Sequence, residues 1–300
     1  MIKHTTLACS TALALGTATT QAIDIAPLQT GYIYDTSTSV EGAGDVSSHF
    51  FHISGSKDLK LNSRSVFVKL NASYYNNTYN FSGGPAGSFT QLDPWDQVHT
   101  FNIGANVMWR MNADWNLFFL PTVRSAGESG AKFSDTLTAG ALLGASYKVH
   151  DRLYIGPGVG YVGQIEDSAS IFPILVINWQ LTDTLSISTG STVGATLGPG
   201  IALKWDIKDD LRFTLGTRAE RTRFRLSESN DNNPSGIGED NSIPVYGMLT
   251  YQVNETLQTS FIAGIGISND FVLDDSNGNR LTKKDYDSSP FLGVNLGFDF

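Results

Sequence analysis

The chain closes on residues 290–300, PFLGVNLGFDF, and this stretch decides the fold. Its apolar residues alternate with small or polar ones, so they share one face of a strand. They are Leu292, Val294, Leu296, Phe298 and Phe300. In a soluble domain such a stripe needs a covering element, whereas a strand of a barrel in lipid is covered by acyl chains. The stretch therefore predicts the closing strand of a transmembrane β-barrel, with the last strand of a β-sandwich as the alternative.

The aromatic ending also resembles the terminal strand of bacterial outer-membrane barrels, in which a final Phe serves as an assembly signal. This resemblance implies that Phe298 and Phe300 carry that signal. It also implies that the barrel-assembly machinery is a partner of the chain.

The first residues predict export. A short positive start is followed by a small, apolar stretch from Leu7 to Ala18 and by small residues suited to cleavage around Ala22. This is the pattern of a signal peptide over residues 1–22, which leaves 23–300 as a single barrel. Cys9 is the only cysteine, so we expect no disulfide, thiolate nucleophile or cysteine-bound metal in the exported protein.

Composition agrees with a barrel. Only 16% of the residues are charged, where a soluble domain carries about 25%. Aromatic residues make up 11%, and glycine occurs 30 times. Beyond the leader, no apolar run is long enough for a transmembrane helix, and period-two alternation recurs along the chain.

The turns separate a barrel from a sandwich. Short polar turns alternate with longer connections, as expected when short turns are periplasmic and long loops lie outside the cell. The short turns are 62–63, 112–114, 150–151, 182–184, 208–210 and 254–256. The longer connections are roughly 38–46, 77–97, 128–134, 228–242 and 273–289, and two short ones fall near 167–168 and 194–198.

Six short turns and the terminal strand give thirteen strands, and a first strand near Gly31–Ser37 supplies the fourteenth. We therefore predict an all-β, antiparallel up-and-down transmembrane barrel of about 14 strands, with 12 as the alternative. Both termini are then periplasmic and the location is the outer membrane. Aromatic residues near the short turns predict an interfacial girdle. They are Trp109, Trp115, Tyr147, Trp179, Trp205 and Tyr251.

The region from about 154 to 300 resembles a family of bacterial outer-membrane β-barrels of unknown function. The stretches that carry the resemblance are Gly156-Pro157-Gly158, Phe172-Pro173-Ile174, Asn178-Trp179, Gly198-Pro199-Gly200 and Arg223-Phe224-Arg225-Leu226. The resemblance implies a barrel and supplies no activity, so function must come from the residues.

Charge is unevenly spread. The formal net charge is −9, and the five longer predicted outer loops hold thirteen acidic residues against four basic ones, while positions predicted to face the lumen lean positive. The lumen-lining candidates are Lys69, Arg110, Arg124, Glu166, Lys204, Arg218 and Glu220. They predict a mildly electropositive lumen that favours anions or neutral solutes; the alternative is that these charges pair across strands.

A rim cluster of Arg221, Arg223 and Arg225 has the opposite parity to the lumen-facing residues of its strand. A bulge near Glu220–Thr222 would turn it inward, towards anionic solutes or loop acids. Without a bulge it would face outward, towards lipopolysaccharide phosphates. A solvated strand extension with salt bridges is the third reading.

Catalytic and metal candidates are few. Asp93, Asp96 and His99 lie together near an outer rim, but no second acidic pair completes a water-activating site, and no metal-ligand spacing is present. We therefore predict no enzyme activity, no cofactor, no metal and no nucleic-acid partner.

Three functional classes remain. The first is a passive channel or small-solute uptake barrel. The second is a structural or surface-interaction barrel that acts through its acidic loops. The third, an enzyme, has the least support. The predicted partners are outer-membrane lipid and lipopolysaccharide, the assembly machinery, and small solutes for the first class.

Overall fold

The computed structural model describes residues 26–189 and 200–300. The predicted leader, residues 1–22, and the predicted connection near 194–198 lie outside these residues. Among the described residues, no helix has the length and hydropathy that a membrane crossing requires.

Strands dominate the described chain, as the period-two alternation predicts. In its first half they are β1 (Leu28–Val40), β2 (Gly44–Leu59), β3 (Val66–Ser82), β4 (Gln97–Arg110), β5 (Trp115–Glu128), β6 (Leu137–His150), β7 (Leu153–Gln164) and β8 (Asp167–Gln180). In its second half they are β9 (Leu185–Thr189), β10 (Gly200–Lys208), β11 (Leu211–Arg218), β12 (Glu220–Arg225), β13 (Ile237–Gln252), β14 (Leu257–Asp274), β15 (Arg280–Tyr286) and β16 (Ser289–Phe298). A short 3-10 helix, Phe133–Thr136, precedes β6.

The segments form one closed, antiparallel barrel of fourteen strands, so the predicted fold class is confirmed. β11 and β12 are two parts of one strand, because both pair with β13 in the same register. β15 and β16 are likewise two parts of the strand beside β14. The barrel closes where β1 pairs with β16, from Leu28 opposite Phe298 to Asp35 opposite Phe291. This pairing removes the open edge that the terminal strand would otherwise leave.

The outer face of the barrel is apolar and exposed. Ile103, Ile171, Phe261 and Leu292 are each between 59% and 71% exposed. The six predicted girdle aromatics are all exposed too, at 39% to 49%. They lie beside the short turns, and an apolar band ending in aromatic residues is the surface that a barrel presents to lipid.

The two barrel ends differ. At the turn end, where β1 begins and β16 ends, the strands are joined by the predicted short polar turns. Asn112 Oδ1 accepts hydrogen bonds from the backbone N–H groups of Asp114 and Trp115, at 2.9 Å each. Asn254 accepts equivalent bonds from the N–H groups of Thr256 and Leu257, so an asparagine side chain closes each of these two turns. The opposite end, where the longer connections lie, is the loop end.

At the loop end the strands run further than predicted. The connection predicted at 38–46 is a tight turn of residues 41–43, β13 begins at Ile237 within the connection predicted at 228–242, and β15 lies within the one predicted at 273–289. β12, residues 237–243 of β13, residues 267–274 of β14, and β15 continue the wall beyond the barrel as a small antiparallel sheet. We refer to these segments as the cap sheet. Residues 237–242 and β15 fall in predicted loops because their sequences are charged and lack clean alternation.

The bulge predicted near Glu220–Thr222 is absent. Thr217 lies opposite Val245 and Glu220 lies opposite Ser242, so the register against β13 is unbroken. The irregularity instead lies in β14, opposite the segment from Asn241 to Ile243. There Ser268 has a positive φ of 53°, which marks an extra residue in the ladder.

Candidate functional site

The cap sheet folds across the mouth of the barrel. Arg225 of β12 pairs in parallel with Gly127 of β5, although β6 to β10 separate these strands in the wall. The N–H of Ser227 donates to Glu128 Oε2 at 2.8 Å. β12 therefore spans the opening from one side of the barrel to the other.

An aromatic plug fills the space beneath this sheet. Its members, drawn from β3, the connection after it, and the cap sheet, are Tyr79, Phe81, Phe89, Trp95, Phe224, Phe271 and Tyr286. Trp95 is 1% exposed and meets the Phe224 and Phe271 rings edge-on, at centroid distances of 5.3 and 5.5 Å. Burying each large aromatic side chain stabilises the fold by roughly 1.5–3 kcal/mol. The plug therefore resists solvent-filled passage at the loop end.

Hydrogen bonds from side chains to backbone carbonyls hold the plug in place. Residues 83–96, which carry Phe89 and Trp95, connect β3 to β4. Ser88 Oγ donates to the carbonyl of Ala43 at 3.0 Å, and Thr90 Oγ1 donates to the same carbonyl and to that of Gly83. From the far side, Asn232 Nδ2 donates to the carbonyl of Leu92 at 2.6 Å. The connection is thus tied both to the β1–β2 turn and to the connection after β12.

Three arginines clamp the cap sheet to the barrel, and we name Arg221, Arg223 and Arg225 the arginine clasp. Arg223, with a side chain 3% exposed, donates to Asp274 Oδ2 at 2.7 Å, Glu239 Oε2 at 3.1 Å and the carbonyl of Ile165 at 2.7 Å. Ile165 lies in the turn between β7 and β8. Arg223 therefore joins β13 and β14 to the opposite wall.

The other two arginines extend the clasp. Arg225 contacts Glu166 at 2.7 Å and donates to the carbonyl of Ser235 at 2.9 Å. Arg221 contacts Glu239 at 2.8 Å and Asp167 at 3.5 Å. The arginine cluster predicted at the rim is thus at the loop end. Because the strand has no bulge, the cluster lies on the outward face. There the β7–β8 turn covers it, so Arg223 and Arg225 contact loop acids and not lipid phosphates.

Below the plug, a cavity of about 130 Å³ lies inside the barrel. We name it the loop-end cavity. Its apolar lining includes Ile33, Phe50, Tyr246, Ile262, Phe271 and Phe291, and its ionisable lining includes Asp35, Glu220 and Asp240. Tyr79 and Tyr286 belong to both the plug and the cavity lining, so the plug forms the cavity's roof.

The lumen-lining candidates occupy different surroundings. Lys69 is 3.6 Å from Asp58, and Arg218, largely buried, contacts Glu220 at 2.6 Å. The Arg110 guanidinium stacks over the Phe67 ring, with 5.6 Å between Cζ and the ring centroid. Glu166 lies in the β7–β8 turn with a φ of 47°, in the clasp and not in the lumen wall.

Two candidates are cationic and partly buried in the wall. Arg124 lies on β5 with Nε and Nη2 without a hydrogen-bond partner among the described residues, and Glu220 attracts its charge. Lys204 lies on β10 between Asp206 and Arg212, which interact with it electrostatically. Arg212 itself contacts Asp206 at 2.5 Å. Much of the lumenal charge is therefore paired across strands.

Glycines on β6 and β7 make room for aromatic side chains in the lumen. Phe118 lies against Gly144 and Gly158, where a β-carbon would collide with its ring or approach it closely. Phe172 lies against Gly160 in the same way. Absence of side chains at these positions lets both rings lie along the wall, which gives this side of the lumen an apolar surface.

The candidate catalytic group is not assembled. His99 contacts the Tyr74 hydroxyl and Ser129 Oγ, at 2.8 Å each, and neither contact involves Asp93 or Asp96. Burial and the neighbouring charges of Asp96 and Glu128 raise the pKa of Asp93. Within 26–189 and 200–300, no group of three or more His, Cys, Asp or Glu residues is placed to hold a metal ion.

Sequence reasoning missed the residues that define the cavity and its roof. Trp95, Asp35, Asp240 and Asn269 come from four separate stretches of the chain. Asp35 was visible as a charge inside an otherwise uncharged strand, Gly31–Ser37. Nothing in the sequence indicates that it faces Asp240, because that contact depends on the closure of β1 against β16.

Solved outer-membrane barrels are similar to this chain over most of its length. A variant of the TodX monoaromatic hydrocarbon channel of P. putida is 10% identical with a TM-score of 0.48, over 91% of this chain and 89% of that one. An outer membrane channel from Pseudomonas putida F1 is 8% identical with a TM-score of 0.46, over 91% and 96%. The KdgM porin is 9% identical with a TM-score of 0.38, over 91% and 99%.

No protein-family model matches the chain, and no curated protein matches it. The closed barrel with its exposed apolar band and aromatic girdle defines the class, which is that of transmembrane β-barrels.

Proposed function

We propose that the chain is an outer-membrane channel for the uptake of small solutes, and that its loop end faces the cell exterior. The observation that carries this proposal is the loop-end cavity, which lies within the barrel beneath the aromatic plug. A barrel with a purely structural role needs no room for a solute, whereas a cavity of this size accommodates a molecule of about one aromatic ring. The plug and clasp describe the closed state of such a channel.

Loop lengths support the orientation. In bacterial barrels the short turns are periplasmic and the longer connections extracellular. Here the aromatic girdle and the asparagine-closed turns lie at the end that also holds Leu28 and Phe298. The proposal therefore places the start of β1 and the end of β16 in the periplasm, and the cap sheet on the extracellular side.

The mildly electropositive lumen stays a prediction. Lys69 and Arg218 are paired, whereas Arg110 and Lys204 leave positive charge towards the turn end and Arg124 lies nearer the loop end. The loop-end cavity carries acidic groups instead. A lumen with a basic region and an acidic loop-end cavity favours a narrow pathway for the solute over a wide, unselective pore.

Conductance in planar bilayers tests the proposal. We expect the refolded barrel to show brief current steps separated by long closed periods, because the plug blocks the loop end. In a KCl gradient, a reversal potential shifted towards chloride supports the electropositive lumen, and one shifted towards potassium contradicts it. Absence of steps, both in this chain and in a variant whose clasp is broken, would overturn the channel.

The surface-interaction alternative has less support in the structure. It requires free acidic groups on the outer connections, but Glu239 and Asp274 are buried and bound to arginines. Glu166, Asp167 and Asp270 also pair with basic side chains. The proposed role is therefore transport, and we assign no reaction to the chain.

The assembly role of Phe298 and Phe300 is a separate proposal. The Phe300 side chain is 91% exposed, so it contributes little to the folded barrel. We expect Phe300→Ala to reduce severalfold the amount of folded barrel in the outer membrane of cells. Refolding into detergent, followed by the shift in gel mobility on heating, should be unchanged. Equal effects in both measurements would make Phe300 structural and contradict the assembly role.

A further inference from the structure

We propose that the loop-end cavity binds a small organic cation, an ammonium group attached to an apolar body about the size of one aromatic ring. The inference rests on the proposed function, since it names the chemical class of the solute. Two observations carry it. The cavity wall contains a buried hydrogen-bond acceptor that has no donor among the described residues, and the ionisable side chains of the wall are all acidic.

The carboxylates of the cavity lack cationic partners, with one exception. Glu220 contacts Arg218 at 2.6 Å. Asp35 accepts a hydrogen bond from Ser48 Oγ at 2.8 Å. Asp240 accepts from the Tyr79 and Tyr286 hydroxyls at 2.8 and 2.9 Å. Neutral donors thus orient Asp35 and Asp240, and neither carboxyl contacts a basic side chain of the described residues.

Asn269 adds an independent acceptor. Its side chain lines the cavity and is only 4% exposed. Its Nδ2 donates to the carbonyls of Gly266 and Asp287, at 3.1 and 3.0 Å, which fixes the amide's orientation. Its Oδ1 has no hydrogen-bond partner within 26–189 and 200–300, although buried acceptors rarely lack one. A donor on a ligand within the cavity would supply that partner.

The sign of the cavity's charge selects the ligand. Among its described lining residues are three carboxylates and no Lys, Arg or His. Asp240 interacts electrostatically with both Asp35 and Glu220, so the negative charges lie near one another. An unpaired charge inside a protein is costly, and a cation between the carboxylates offsets that cost. An anion would raise the cost, and a neutral solute would leave it unchanged.

The remaining wall suits an apolar body. Phe50, Phe271 and Phe291 line the cavity together with Ile33 and Ile262. Aromatic faces also attract ammonium groups. A ligand with a positive head and a ring-sized tail therefore has a complementary surface at each end, whereas a bare metal ion would leave the apolar wall unused.

Calorimetric titration of the refolded barrel in a non-ionic detergent tests the inference. The probe is phenethylamine, with phenethyl alcohol as the neutral analogue and hydrocinnamate as the anionic one. We expect phenethylamine to bind at one site per barrel, at least about tenfold more tightly than either analogue, because a buried charge contact is at stake. Equal binding of the three, or none by phenethylamine, would overturn the proposal.

Two variants locate the site. Asp35→Asn and Asp240→Asn keep the side-chain shape and remove the charge, and we expect each to weaken phenethylamine binding about tenfold. Asp45→Asn is the matched control, because Asp45 lies at the same end of the barrel on an exposed position, where it accepts from Ser39. Unchanged binding in both cavity variants would place the probe elsewhere and overturn the proposal.

The channel and the binding site fail in different experiments. A barrel that conducts but does not bind phenethylamine keeps the proposed function and loses this inference. A barrel that binds phenethylamine and never conducts keeps the site and loses the channel.

Discussion

Replacement of Arg223 with glutamine is expected to open the loop end and to raise the time that the barrel spends conducting severalfold. Arg223 is the cation between the buried carboxylates of Glu239 and Asp274, and it also holds the carbonyl of Ile165 on the opposite wall. Removing one partner of a buried ion pair costs about 3–5 kcal/mol, because the remaining charge is left unpaired. The cap sheet, and not the membrane-embedded wall, bears this cost. Single-channel recording measures the change.

The control is Arg152→Gln. It removes an ion pair with Asp183, at 2.7 Å, between exposed side chains near the turn end. Exposed pairs contribute about 0–1 kcal/mol, so we expect no change in conductance. Limited trypsin digestion gives a second measurement, since Arg225 becomes cleavable only when the cap sheet lifts. A folded Arg223→Gln barrel with unaltered gating and unaltered digestion would show that the clasp does not hold the mouth closed.

Substitution of Gly156 with alanine is expected to prevent most of the chain from reaching the folded barrel. A β-carbon at Gly156 would collide with the backbone carbonyl of Ala145 and with the backbone of Ser146, on the neighbouring strand β6. Overpacking against a flexible side chain costs about 1–3 kcal/mol, and backbone atoms held in a barrel ladder have less freedom to move aside. The folded fraction after refolding, read from gel mobility with and without heating, measures the effect.

Gly55→Ala is the matched control. Gly55 lies in strand β2, and a β-carbon there meets no atom within 4 Å. Its folded fraction should equal that of the parent chain, or rise slightly, because alanine restricts the unfolded chain. If both alanine variants fold equally well, the close approach of β6 and β7 at Gly156 is not a constraint on folding.

Much of the barrel was predictable because its determinants are local. The alternation from Leu292 to Phe298 predicted a lipid-facing strand, and the structure confirms one exposed and one covered face. Asn112 and Asn254 predicted tight turns, and their side chains close them. The strand count followed from the six short turns, the terminal strand and the first strand near Gly31–Ser37. Each of these inferences needs only neighbours within a few residues.

The loop end was less predictable. Residues 237–243 were assigned to a loop, because their acidic side chains do not alternate with apolar ones. They form strand because β12 and β14 complete their hydrogen bonds on both sides. The bulge was expected beside Glu220 but lies at Ser268 on a different strand. The alternation of side chains shows that two segments of a strand place their apolar residues on opposite faces. It does not show which of the paired strands carries the extra residue of a bulge.

The sequence by itself determined that this chain alternates, turns and closes as a fourteen-stranded barrel with an apolar outer band. Only the tertiary structure decided that the cap sheet crosses the mouth, that Arg223 is buried between two acids, and that Asp35 and Asp240 line one cavity. The physical reason is sequence separation. Whether the apolar face of a strand is covered by lipid depends on the alternation of residues within that strand. A charged side chain such as Arg223 meets its partners only when the closed barrel brings distant strands together.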